Sequence, residues 1–326
     1  MRAVVCREYG PPEGLVVEEL PDPVAGPGQV VVDVHAAAVN FPDVLLIANR
    51  YQVSIPAPFT PGSEFAGIVR EVGPGVTSLA PGDRVSGATF VGAFAERVAA
   101  GAEGVTKLPA DADLVAAAAY GVVYSTSYNA LRSAAQLRAG ETLLVLGAAG
   151  GVGLAAVDLG VLLGARVIAA AASEEKLRVC RERGAAETID VTRESLKDRV
   201  KQLTGGRGVD VVIDPVGGPL AEQAVRATGW RGRFVCVGFA SGEIPEIPLN
   251  LLLLKGSELR SFNLAPFIGN EPDEYRRNQA ELLELFLGGR IRPLVSARHP
   301  LAGVATALRD VAERRAIGKI VIEPQA

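Results

Sequence analysis

At 326 residues, with 48% hydrophobic content and 37 glycines, the chain exceeds one ordinary domain and holds enough apolar material for two full cores. Thirty-three basic against 37 acidic side chains give a net charge of -4 with no basic block, so no nucleic-acid partner is expected. Three scattered cysteines and two histidines supply neither a disulfide framework nor a structural zinc site, and no bound metal is expected.

The opening MRAVVCREYG reads as a strand, because no apolar stretch follows its basic residue as in a signal peptide, and a cytoplasmic protein is expected. Short strands at residues 30–39, 67–72 and 84–87, separated by turns such as PVAGPG, GPGV and APGDR, point to a compact, mostly antiparallel β domain. Residues 114–131 and 142–157 are long uncharged stretches. Hydroxyls and an amide interrupt the first, glycines the second, so both read as buried soluble segments and no membrane span is expected.

The segment 143–153, LLVLGAAGGVG, is an apolar run of strand length that ends in packed glycines and restarts at helical spacing. Gly150, Gly151 and Gly153 match the pattern G-x-G-x-x-G, with Ala148 at the first glycine. Small residues let the backbone approach a dinucleotide's pyrophosphate, and the free N–H groups of the new helix, with Val152 in its first turn, face its charge. A glycine-rich turn without a ligand is the alternative at this point.

Apolar residues at helical spacing follow until Gly164, then a strand at 166–171 and a helix from about Glu174, with Ser173 as N-cap and Gly184 beyond its end. Strands begin near 142, 166, 187, 209, 233 and 256, alternating with helices until the last pair. That is an α/β pattern: a doubly wound parallel sheet with ligand loops at the strands' carboxyl ends. Beyond Asn263 come a helix at 272–287, a strand, a helix at 301–314 and a strand at 319–323, all expected to return to the N-terminal domain.

With AAAVNFPDVLLIANRY, PFTPGSEFAGIVREVGPGVTSLAPGDRV, AAGGVG, TGGRGVDVVIDPVGG and ATALRDVAERRAIGKIVIEP in order, the chain resembles the medium-chain dehydrogenases/reductases. Within them it is similar to the zinc-independent, zeta-crystallin-like quinone oxidoreductases. The resemblance implies a GroES-like β-rich catalytic domain (1–120 and 265–326) and a Rossmann dinucleotide-binding domain (121–264). Zinc members carry a Cys and a His where this chain has Asn40 and Ser63. An amide and a hydroxyl do not replace thiolate and imidazole as zinc ligands. Without a Lewis acid, electron-poor acceptors such as quinones or conjugated C=C bonds are favoured over simple ketones or alcohols.

The resemblance also implies individual roles. Asn40, Phe41 and Asp43 match the nicotinamide-side motif N-F-x-D. Asn40 would orient substrate and cofactor, while Asp43 serves equally well as a loop organiser or helix cap. Tyr51 matches a tyrosine that closes over the substrate, although Ile47 and Asn49 depart from the usual pattern nearby. Thr126 would face the nicotinamide ribose or carboxamide. Gly217, Gly238 and Phe239 would border the cofactor, as would Phe262 and Asn263, and the substrate would lie beside Asn40, Tyr51 and Phe262. The second strand ends in Ala170, Ala171 and Ala172 with no acid to hold a ribose 2′-hydroxyl. Ser173 and Lys176 could instead receive a 2′-phosphate, which favours NADPH, unless Glu174 or Glu175 folds back onto the ribose. Arg315 could reach the phosphate end, and Arg193 could compensate for Val191, which stands where relatives carry an aromatic.

His35 is read as a surface residue, Trp230 as packing, and Cys180 and Cys236 as inert. The expected function is NADPH-dependent, zinc-free reduction of quinones. An enone or enoyl-thioester reductase is the nearest alternative, and a non-catalytic crystallin-like NADPH-binding or RNA-binding protein is one of another class. A homodimer through the exposed edge strand near 256–261 is expected.

Overall fold

The computed structural model describes residues 1–326, in two compact units. Unit 1 comprises Met1–Val122 and Arg292–Ala326, and unit 2 comprises Val123–Ile291. No helix is long and apolar enough to cross a membrane.

Unit 1 begins with a two-stranded antiparallel pair, β1 (Arg2–Val5) and β2 (Val16–Glu19). Its main sheet is built on β3 (Gln29–Ala38), where Val30, Val31, Val32 and Val34 are buried while Asp33 is partly and His35 largely exposed. After β3 come α1 (Phe41–Ile47), β4 (Glu64–Val72), β5 (Arg84–Ala88), β6 (Arg97–Gly101) and β7 (Val105–Lys107). Strands β4 and β6 flank β3, and pairing from β3 through β7 is antiparallel throughout. The uncharged stretch at 114–131 forms α2 (Leu114–Asn129), continued by a π-helical turn at Ala130–Ala134.

Unit 2 is a six-stranded parallel sheet. In chain order its elements are β8 (Thr142–Leu146), α3 (Gly151–Leu162), β9 (Arg166–Ala171), α4 (Glu174–Glu182), β10 (Glu187–Asp190), α5 (Leu196–Leu203) and β11 (Val209–Asp214). They continue with α6 (Pro219–Ala227), β12 (Thr228–Cys236), α7 (Asn250–Lys255), β13 (Glu258–Ser261), α8 (Leu264–Asn270) and α9 (Pro272–Leu287). The spatial order is β10-β9-β8-β11-β12-β13, so the chain winds outward from β8 and then from β11. That is the doubly wound arrangement, and its crevice lies at the carboxyl ends of β8 and β11.

The chain then returns to unit 1 as β14 (Val295–His299), α10 (Val304–Ala312) and β15 (Lys319–Ile322). Strand β15 slots between β14 and β3, antiparallel to β3.

Three expectations need correction. Residues 265–291 belong with unit 2, so the chain crosses back at Arg292 rather than at 265. Buried Leu282 and a set of hydrogen bonds hold α9 there. On α9, Glu281 accepts from Tyr128 at 2.5 Å, Asn278 donates to Asn129 at 2.7 Å, and Gln279 donates to Ser125 at 2.5 Å. Trp230 is not packing: it lies on β12, which starts five residues before the expected 233, and its side chain is 72% exposed. Helices α7 and α8 were not anticipated, because six or seven residues offer too little periodicity to register.

Candidate active site

In unit 2 the glycine turn carries β8 into α3. Gly150 is the N-cap of α3, and Gly151 and Val152 begin the helix. A Cβ on Gly153 would overlap the Gly147 carbonyl oxygen, so only glycine lets helix and strand approach this closely. The first N–H groups of α3 have no intrahelical acceptor, the feature of a helix start on which anions bind. Ser127, fully buried on α2, donates to the Val152 carbonyl at 2.8 Å and pins the turn. Sequence reasoning missed Ser127, because a serine in an apolar helix carries no periodic signal.

At the end of β9, Ser173 is the N-cap of α4, its hydroxyl accepting from the Lys176 N–H at 3.4 Å. Glu174 is paired with Arg181 two turns along the same face of α4, which leaves Glu175 as the remaining carboxylate of this turn. Beyond β10, Arg193 lies 3.6 Å from Asp190. At the end of β11, the buried Asp214 accepts from Val216 at 2.7 Å and Gly217 at 2.9 Å through one carboxylate oxygen. Burial raises its proton affinity, and its backbone carbonyl accepts from Gly238 after β12. After β13, Phe262 is buried against Phe267 at 5.3 Å, and Asn263 is the N-cap of α8.

Because all six strands are parallel, Gly150, Gly151, Val152, Ser173, Lys176, Gly217, Gly238, Phe239, Phe262 and Asn263 all follow the carboxyl ends of one sheet. Phe239 is partly exposed there. Thr126 lies on α2 of the same unit, one residue from Ser127. Cys180 is buried and its thiol is pushed up to about 12, and burial also raises the thiol of Cys236.

Unit 1 holds the second group. Asn40, the N-cap of α1, is 5% exposed, and its amide is committed inward: Nδ2 donates to Glu64 at 3.0 Å and to the Ala38 carbonyl at 3.4 Å. Its Oδ1 accepts from the Lys319 ammonium at 2.6 Å. Lys319 also donates to the Val39 carbonyl at 2.9 Å and lies 3.3 Å from Glu64. Asp43 is fully buried one turn into α1 and accepts from the Asn40 N–H at 2.8 Å. Burial drives its carboxyl up to about 7, against the opposing pull of the Asn40 N–H and the Lys319 charge. Tyr51, half-buried with its ring 6.2 Å from Phe90, has its phenol raised first by burial and then by Asp43. Phe41 is half-buried at the first position of α1. Arg315 is engaged with Asp310 at 2.8 Å and with Glu313, rather than presented as an open cation.

No group of three or more His, Cys, Asp or Glu side chains could hold a metal ion. At Asn40, Ser63 and Glu64 the local charge is met by an ammonium, and the donor set does not fit a catalytic zinc.

Residues 26–110 match the family model of the alcohol dehydrogenase GroES-like domain, and residues 151–283 that of zinc-binding dehydrogenases. The chain is 41% identical over 325 residues to a quinone oxidoreductase-like protein 2 homolog of Nematostella vectensis, covering 98% of this chain and 88% of that one. It is 38% identical to a quinone oxidoreductase of Pseudomonas aeruginosa, with 97% of each chain covered. The Escherichia coli quinone oxidoreductase, solved in complex with NADPH, superposes with a TM-score of 0.93 at 29% identity over 99% of this chain and 100% of that one. The chain belongs to the quinone oxidoreductases of the medium-chain dehydrogenase/reductase superfamily.

Proposed function

We propose that this chain is an NADPH-dependent, zinc-free oxidoreductase that reduces quinones. The observation that carries the reading is the ammonium of Lys319 between Asn40 and Glu64, where a metal-dependent relative would need ligands. Without a Lewis acid to polarise a carbonyl, the favoured acceptors are those that take hydride with little help.

NADPH, when bound, supplies the hydride. The chain's own residues bind, orient and protonate. Gly150, Gly151 and Val152 hold the pyrophosphate at the start of α3. Ser173 and Lys176 receive the 2′-phosphate, a reading supported by the pairing of Glu174 with Arg181, which takes one carboxylate away from the ribose. Thr126, Gly217, Gly238, Phe239, Phe262 and Asn263 border the cofactor. Tyr51 donates a hydrogen bond to a quinone oxygen. Asn40, with both amide hydrogens committed inward, holds the loop that carries Asp43 and Tyr51. Rate enhancement rests mainly on alignment of donor and acceptor. The functional unit is a homodimer through the β13 edge, and the compartment is the cytoplasm.

The test is NADPH oxidation by purified protein over a panel of quinones, enones and enoyl-thioesters. Turnover with 1,4-benzoquinone or 9,10-phenanthrenequinone is expected, without comparable oxidation of simple alcohols. Turnover confined to enones or enoyl-thioesters would move the assignment to C=C reduction. NADPH binding without oxidation by any acceptor would overturn the enzymatic reading.

A further inference from the structure

We propose that Lys319 is the positioning residue of this site, a built-in cation that fixes the amide of Asn40 and balances the buried charge of Glu64. The inference rests on the proposed quinone reductase reading for its kinetic consequence, and on geometry alone for its structural one.

An ammonium has three N–H donors and no acceptor. Lys319, 3% exposed at the start of β15, finds three oxygens: the Val39 carbonyl at 2.9 Å, Asn40 Oδ1 at 2.6 Å and Glu64 Oε2 at 3.3 Å. Its placement is set by the preceding residue. Gly318 has φ +63°, and a Cβ there would overlap the Leu294 carbonyl oxygen, the same oxygen that accepts from the Lys319 N–H at 2.8 Å.

The donor-only character of the ammonium dictates which way the Asn40 amide points. Oδ1 faces Lys319, so Nδ2 must face Glu64 and the Ala38 carbonyl. Glu64 and the Ala38 carbonyl, both acceptors, favour the same orientation from the other side, so a neutral side chain at 319 removes the partner that fixes the oxygen end of the amide. The other Glu64 oxygen accepts from the Val122 N–H at 2.6 Å, so neither end of this carboxylate is idle. A carboxylate that deep inside the protein requires its cation, and removing one partner alone strands the other.

The ammonium is saturated by fixed protein oxygens and has no exchangeable position. It therefore organises the Asn40 loop without acting as a Lewis acid. The N–H of Asn40 is in turn held by Asp43 at 2.8 Å, so the first turn of α1 is registered through the same residue.

A merely structural ion pair and a positioning role separate in the charge-balanced double variant. Lys319→Met alone strands Glu64 and should lower the urea midpoint. Lys319→Met with Glu64→Gln should restore the midpoint, yet lower kcat for 1,4-benzoquinone by about tenfold or more, as loss of an orienting partner does elsewhere. The NADPH dissociation constant should stay within about threefold, placing the loss in kcat. Independently of turnover, the Asn40 side-chain amide protons, protected in the wild type by NMR, should exchange rapidly in the double variant. Lys319→Arg, which keeps charge and donors, should retain protection, and it decides the matter if the double variant fails to fold. Wild-type kcat and protected amide protons in the double variant, or unprotected amide protons in the wild type, would overturn the proposal. A wild type that reduces no quinone would instead refute the proposed function, with the amide exchange still deciding the role of Lys319.

Discussion

Asp43 has no exposed surface, and its carboxyl sits far above the ordinary range, at about 7, chiefly because burial penalises its charge. Lys319 pulls that value down and Glu64 pushes it up. The folded protein thus binds a proton that the unfolded chain has already released, so the contribution of Asp43 to stability is largest below about pH 4 and falls as pH rises through 7. Asp43→Asn keeps an acceptor for the Asn40 N–H and removes the charge. Its stability relative to wild type, by urea unfolding, should therefore improve from pH 5 to pH 8, and a constant difference would contradict the assignment. Lys176 offers a second test at this scale. If it meets the 2′-phosphate, Lys176→Ala should weaken NADPH by about 1.5–3 kcal/mol, or about ten- to a hundredfold, and leave NADH unchanged. Titration calorimetry with both nucleotides distinguishes this from a solvated helix charge. Ser173, Gly150 and Gly153 were legible in the sequence because capping and close approach depend on near neighbours. Ser127 and Lys319 were not, because each acts through a partner that sequence distance hides.

Among the elements, β13 is the exposed edge of the sheet, four residues with Leu259 41% exposed and unpaired N–H and C=O groups along its outer side. Leu249, Leu253 and Leu254, before and within α7, are also largely exposed. An open strand edge carrying a part-exposed leucine invites pairing with a second copy. The native protein should sediment as a dimer, and Leu259→Asp should dissociate it and impair quinone reduction, because Phe262 and Asn263 directly follow the strand. A fully active monomer would refute the coupling. The helices of unit 2 show why local signals sufficed there. Ser173 caps α4 as the sequence announces, Ser195 likewise caps α5, and Gly164 and Gly184 follow α3 and α4 with positive φ. The same signals could not place α9, whose boundaries were legible but whose docking partner was not. Its buried face mixes Leu282 with the hydrogen-bonded Asn278, and hydrophobic periodicity says nothing about hydrogen-bonded packing.

For the molecule as a whole, the donor set predicts metal content. Elemental analysis should find no stoichiometric zinc, and activity should survive a chelator, since Asn40, Ser63, Glu64 and Lys319 leave no thiolate or imidazole to bind it. One zinc per chain would overturn the mechanism. The sequence by itself determined the two-part layout, the doubly wound winding of unit 2 and the glycine turn at the head of α3. Each of these is written in periods, caps and breakers spanning a few residues. The tertiary structure alone decided where the chain re-enters unit 1 and what surrounds Asn40. Lys319 reads in sequence as the polar start of an apolar strand. Only the insertion of β15 beside β3 carries its ammonium to Asn40, 279 positions away, and to Glu64 on the neighbouring strand. Sheet pairing joins residues by register rather than by proximity along the chain, so the charge balance of the site emerges only once the sheet is assembled.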